Sequence, residues 1–101
     1  MTDLEMHIFA KSNIFEDIGI NYDNFDEEEK QALDCIKGNF IYNLNACRIE
    51  IQNTGYKENQ ENKYIYNFEN FIYKHKWISE LLSYNEITEI RLKFQKLIYE
   101  L

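Results

Sequence analysis

The spacing of apolar residues in the middle of the chain constrains its fold more than any other feature. Intervals of 3, 4, 4, 3 and 4 residues separate Leu33, Ile36, Phe40, Leu44, Cys47 and Ile51. Such intervals place side chains on one face of an α-helix. Asp26 and Glu29 have the spacing of a capping box, and Gly55 suits the left-handed position after a last turn. The sequence therefore predicts one long helix from about Asp26 to Asn53. Within it, Gly38 would permit either a kink or the close approach of another helix.

The rest of the chain predicts three more helices, because its apolar residues also recur every three or four positions. Gly19 and the capping-box pair Ser83 and Glu86 mark further helix boundaries. In chain order the predicted elements are a helix over about Asp3–Ile18, open to interruption at Ser12 and Asn13, a loop over Asn21–Phe25, the helix over Asp26–Asn53, a polar exposed loop over Lys57–Lys63, a helix over Ile65–Leu82 and a helix over Ile87–Leu101.

These elements predict an all-α fold, a small antiparallel four-helix bundle that forms one domain over residues 1–101. Leu, Ile, Met, Phe and Trp together number 32 of the 101 residues, which is enough for one core. An α+β alternative remains, since residues 48–52 and 64–68 alternate in polarity and could pair as a β-hairpin around 47–68. The helical pattern runs through both segments, so we favour the helices.

The negative charge of the chain lies almost entirely in one stretch. The net charge is −7, with 18 acidic and 11 basic residues. Between Glu16 and Asp34 there are eight acids and only one base, Lys30, whereas residues 51–101 hold 7 of each sign. This balance argues against direct binding of nucleic acid, which requires clustered Lys and Arg.

Helix capping explains about half of this acidic stretch. Asp26 caps the long helix, and carboxylates in its first turn complement the helix dipole. Capping does not explain the other acids. They form either a functional acidic surface or an ordinary solvated surface, and we favour the functional surface. We therefore predict a partner-binding surface that includes two aromatic residues within the stretch, with a core role for Phe25 as an equal alternative. Its residues are Glu16, Asp17, Tyr22, Asp23, Phe25, Asp26, Glu27, Glu28, Glu29 and Asp34.

Signals for catalysis or metal binding are weak. His7 and His75 lack the helical spacing to partners that builds a metal site, so surface or packing roles are expected. A calcium loop starting at Asp17 would have Tyr22 at the position that requires Gly. Exposed carboxylates at a helix start keep ordinary acidity, which does not suit general acid catalysis. We expect no enzyme activity, no cofactor and no metal.

The cysteines and the N-terminal residues indicate the cellular location. On one helix, Cys35 and Cys47 would lie about 18 Å apart, too far for a disulfide. The N-terminal sequence lacks the pattern of a signal peptide, and no apolar run approaches the length of a membrane span. We expect a cytoplasmic protein with reduced thiols and no membrane contact.

In its size, its acidic run over residues 23–29, its helical pattern and its AT-rich codon bias, the chain resembles small acidic bacterial immunity proteins. These proteins neutralise nuclease toxins of colicin or contact-dependent-inhibition systems. The resemblance implies a monomer that forms a tight 1:1 complex with a basic toxin domain, often an RNase or tRNase. It carries over no site residues, because no diagnostic motif is matched.

Two other functions fit the same sequence. A phage-encoded inhibitor that mimics nucleic acid would use the acidic surface against a host defence enzyme. A helical regulatory or scaffold module would instead self-associate through aromatic residues such as Tyr64, Tyr66, Tyr73 and Trp77. Tyrosines at helical spacing are more often half-buried packing residues, which is the role we expect for them here.

Overall fold

A computed structural model describes all residues, 1–101, and contains helices and turns but no strand. The all-α prediction is confirmed, and the alternative of a β-hairpin around 47–68 is wrong, because those residues belong to two helices. Two short 3₁₀ turns, Glu16–Ile18 and Tyr22–Asn24, precede the longest helix. The five α-helices are α1 (Asp3–Lys11), α2 (Glu27–Thr54), α3 (Lys57–Lys74), α4 (Lys76–Leu81) and α5 (Tyr84–Tyr99).

Both ends of α2 form as the sequence predicts. The Asp26 carboxylate accepts the N–H of Glu29 at 2.8 Å, and the Glu29 carboxylate accepts the N–H of Asp26 at 3.0 Å. Gly55 is left-handed, with φ 75°, and its N–H donates to the carbonyl of Ile51 at 2.9 Å. The close helix approach considered at Gly38 is absent, since no atom would lie within 4 Å of a Cβ there.

The prediction of a loop over Lys57–Lys63 is wrong, because these residues form the first turns of α3. Only Gly55 and Tyr56 connect α2 to α3, so the two helices run antiparallel. Polar side chains of this segment contact the neighbouring helix. Lys63 forms a salt bridge with Glu50 of α2 at 3.2 Å. Within this start Glu61 is buried and pairs with Lys57 at 3.7 Å, and the buried apolar residues of α3 begin at Tyr64.

The predicted helix over Ile65–Leu82 is interrupted at His75, so the bundle has five helices where four were expected. His75 is extended, with φ −102° and ψ 99°. Continued helical spacing after Phe68 and Ile72 would point the polar residues 75 and 76 at the core and carry Ile78 away from it. One extended residue resets the phase, and Ile78 is fully buried in α4.

The first helix ends earlier than Ile18, at Lys11, where the Ser12 hydroxyl donates to the carbonyl of Phe9 at 2.7 Å. The glycine that was expected to end it terminates the first 3₁₀ turn instead. Gly19 has φ 88°, and the N–H of Ile20 donates to the carbonyl of Phe15 at 3.2 Å. This bond is the one that defines a Schellman ending.

The core is organised around the Phe40 ring of α2, which is fully buried. Four other rings surround it, with centroids 5.1–6.2 Å away, namely Phe9, Phe15, Phe68 and Phe94. These rings come from α1, the residue before the first 3₁₀ turn, α3 and α5, so one residue of α2 contacts most of the molecule. No helix is both long enough and apolar enough to span a bilayer.

Candidate functional site

The ten predicted site residues occupy several different environments at the α2 N-terminal end of the bundle. Glu16 and Asp17 lie in the first 3₁₀ turn, which contacts α5. Asp17 accepts a salt bridge from Lys93 of α5 at 2.7 Å, and Lys93 also donates to the carbonyl of Ile14. Asp17 therefore has a structural role in anchoring the turn, while Glu16 is exposed without a partner in the structure.

The first turn of α2 contains the acids that capping explains, and the structure confirms the capping box formed by Asp26 and Glu29. Glu27 pairs with Lys30 at 3.6 Å, with its own side chain 89% exposed. An exposed pair of this kind contributes little to stability. Glu28 differs from its neighbours, since its exposed carboxylate has no hydrogen bond or salt bridge within the chain.

Tyr22 and Asp34 are joined by the fold. The Tyr22 hydroxyl donates to the Asp34 carboxylate at 3.2 Å, and the Lys30 ammonium lies 5.4 Å from the Tyr22 ring centroid. Burial, followed by the hydrogen bond and charge of Asp34, raises the pKa of Tyr22 above its ordinary value. Phe25 is half-buried and packs against the core, which gives it the structural role considered for it.

Tyr22, Asp23 and Asp34 line a cleft of about 320 Å³ between the end of α1, the two turns and α2. We call it the Tyr22 cleft. It also contains two lysines, Lys11 and Lys37, so its charges are mixed. Buried apolar residues line its interior, namely Ile14, Phe15, Ile20 and Leu33, and Ser12 and Asn13 complete the lining.

A second depression is more acidic, and we call it the Trp77 groove. It is open, has a volume of about 460 Å³ and lies where the start of α2 meets α4. Its acids are Glu28, Glu29 and Glu80, and no Lys or Arg lines it. Trp77, Leu81 and Ala32 supply its apolar surface.

The sequence did not identify Trp77 and Glu80 as part of this surface, because they are about fifty residues away from Glu28 along the chain. Their position depends on the chain reversal between α2 and α3 and on the break at His75. Glu80 lies 4.0 Å from Lys76, but both side chains are largely exposed. The only local signal was a tryptophan near a carboxylate at helical spacing, which is common on bundle surfaces.

No histidine or cysteine lines the cleft or the groove. His7 is exposed, and His75 packs between Phe71 and Trp77, with ring centroids 4.8 and 5.8 Å away. Cys35 and Cys47 both lie on α2, the arrangement considered from the sequence, and neither is bridged in the structure. No group of three or more His, Cys, Asp or Glu side chains is arranged to hold a metal ion.

The aromatic residues considered for self-association divide into two groups. Tyr64 is buried and Trp77 is half-buried, in line with packing roles. Tyr66 and Tyr73 are 69% and 66% exposed, so the expectation of half-buried packing is wrong for them. Comparison of the chain with protein-family models, with curated proteins and with solved structures finds no match.

Proposed function

We propose that this protein is a cytoplasmic immunity protein, a monomeric inhibitor that binds a basic nuclease toxin domain in a 1:1 complex. The observation that carries the proposal is the Trp77 groove, in which three carboxylates surround a half-buried indole without any lining base. Nuclease active sites bind phosphate through Lys and Arg, so a surface that presents carboxylates and an aromatic ring is complementary to them.

The groove offers two kinds of contact to a basic side chain. Glu28 has no partner within the chain, so its carboxylate is available for an intermolecular ion pair. Trp77 lines the groove as a half-buried aromatic residue, the residue type that attracts a guanidinium or ammonium group by about 0.5–2 kcal/mol. Arginine and tryptophan are the residue types that most often anchor protein interfaces.

The charge of the whole chain supports the same partner. A net charge of −7 on 101 residues attracts a basic protein over a distance of about a Debye length. Such steering raises association rates, and the rates fall as the salt concentration rises. We therefore expect the complex to form rapidly at low salt.

Capture of the partner tests the proposal. The tagged chain is expected to retain a small basic domain from its native source, and that domain is expected to cleave RNA until the chain is added back at one equivalent. Capture of a large host complex would favour the phage-type inhibitor instead. A captured small domain without nuclease activity would contradict the immunity function.

One observation favours a second candidate, the helical interaction module. Tyr66 and Tyr73 are seven residues apart on one exposed face of α3, a spacing that two copies of a helix can share. Sedimentation distinguishes the two functions. A monomer at all concentrations supports the inhibitor, whereas a dimer that is lost in Tyr66→Ser/Tyr73→Ser supports the module.

A further inference from the structure

The Tyr22 cleft carries charges of both signs that the chain itself does not neutralise. None of the seven salt bridges in the protein involves Lys11 or Lys37, although most of the other bases are paired. Asp23 and Asp34 also lack a basic partner. Asp34 and Lys37 are particularly informative, since they are only one helical turn apart and still form no salt bridge.

The geometry of this turn suits a ligand with two adjacent opposite charges. Residues three apart on a helix have Cβ atoms about 5–6 Å apart. An ammonium and a carboxylate on the same carbon atom can therefore contact Asp34 and Lys37 together. The hydroxyl of Tyr22 donates to one oxygen of Asp34 at 3.2 Å, which orients the carboxylate and leaves its other oxygen free.

The interior of the cleft adds an apolar contact. Ile14, Phe15 and Leu33 line it, and each exposes only 2–4% of its surface, so together they form a small apolar floor. At about 320 Å³, the cleft is at the small end of the range of ligand sites, which begins at about 300 Å³. This volume fits a molecule of the size of an amino acid better than a nucleotide.

From these features we propose that the Tyr22 cleft binds a free α-amino acid with an apolar side chain. The ammonium contacts Asp34, the carboxylate contacts Lys37, and the side chain lies on Ile14, Phe15 and Leu33. Lys11 and Asp23 add charge of each sign to the lining. This site is separate from the Trp77 groove and does not depend on the protein partner proposed above.

Titration of the full chain with L-leucine tests the proposal. Amide chemical shifts and calorimetry detect the binding. L-Leucine is expected to bind with a dissociation constant below about 1 mM and to shift the amides of residues 11–15, 22–23 and 33–37. Leucinamide lacks the carboxylate, N-acetyl-leucine lacks the ammonium, and L-alanine lacks the apolar side chain. Each is expected to bind at least tenfold more weakly, which corresponds to about 1.4 kcal/mol.

Two variants assign the charges. Lys37→Gln is expected to weaken L-leucine at least tenfold while leaving leucinamide unchanged. Asp34→Asn is expected to weaken L-leucine while leaving N-acetyl-leucine unchanged. Lys74→Gln, an exposed unpaired lysine far along the chain, is the control and is expected to change nothing. The proposal is overturned if L-leucine causes no shifts in the cleft, or if it binds no tighter than its two singly charged analogues.

Discussion

At the scale of single residues, Asp26 combines a capping role with a place in the predicted partner-binding surface. Asp26→Ala removes the acceptor for the N–H of Glu29 and is expected to lower the free energy of unfolding by about 1 kcal/mol. Asn caps helices as well as Asp does, so Asp26→Asn is expected to stay within about 0.5 kcal/mol of the original chain. Urea unfolding measures both. Equal losses would mean that the carboxylate charge matters more than the cap.

A second prediction at this scale concerns the reactivity of the two cysteines. Burial, followed by the charges of Glu61 and Glu50, raises the pKa of the Cys47 thiol from 9.0 to about 11, whereas Cys35 is exposed. At pH 8 a disulfide reagent is therefore expected to titrate one thiol in the native protein and two in denaturant. Two native thiols reacting at similar rates would contradict the burial of Cys47.

The raised pKa of Cys47 also links stability to pH. The folded protein holds this proton more tightly than the unfolded chain, so the associated stability is complete below pH 9 and is lost as the pH rises toward 11. Between pH 9 and pH 11 the original chain is expected to lose more stability than Cys47→Ala. Cys35→Ala serves as the control and is expected to follow the original chain.

At the scale of elements, we expect substitutions of the two glycines of the α2 region to have opposite effects on stability. Gly55 is left-handed, with φ 75°, so Gly55→Ala is expected to destabilise the protein by about 1–2 kcal/mol. Gly38 lies within the helix with open space around its Cα, so Gly38→Ala is expected to stabilise it by up to about 1 kcal/mol. Thermal unfolding compares them. Destabilisation by Gly38→Ala would indicate a neighbour that the structure does not contain.

Elements with local signals could be predicted from the sequence, and those set by distant contacts could not. The capping box at Asp26 and the glycine at 55 define α2 because the hydrogen bonds at each end join residues three or four apart. The helical start over Lys57–Lys63 has no apolar pattern of its own, and its contacts with Glu50 and Tyr99 join residues that are distant in sequence. The break at His75 likewise follows from how Ile78 packs.

At the scale of the whole molecule, the site could be predicted only in part. The sequence placed an acidic surface at the start of α2, but the structure binds Asp17 to Lys93. Of the other acids, two lie in the cleft and two in the groove, namely Asp23 and Asp34, and Glu28 and Glu29. Glu80 and Trp77 join Glu28 only because the chain folds back on itself. Fewer acidic residues are therefore proposed to contact the partner than the sequence predicted, and they lie closer together in the structure.

The most direct test of the account is the salt dependence of partner affinity when the Trp77 groove is neutralised. Glu28→Gln/Glu80→Gln removes two groove charges, and Glu58→Gln/Glu89→Gln removes two exposed acids on α3 and α5 as a control with the same net charge. Dissociation constants for the captured partner are measured at low and at physiological salt.

We expect the groove variant to bind the partner at least tenfold more weakly, and its affinity to depend less on the salt concentration. Truncation of an interface charge pair costs about 2–5 kcal/mol when the pair is buried and less when it lies at the rim. The control variant is expected to bind nearly as well as the original chain. Equal affinities for the two variants would contradict the proposal that the Trp77 groove binds the basic partner.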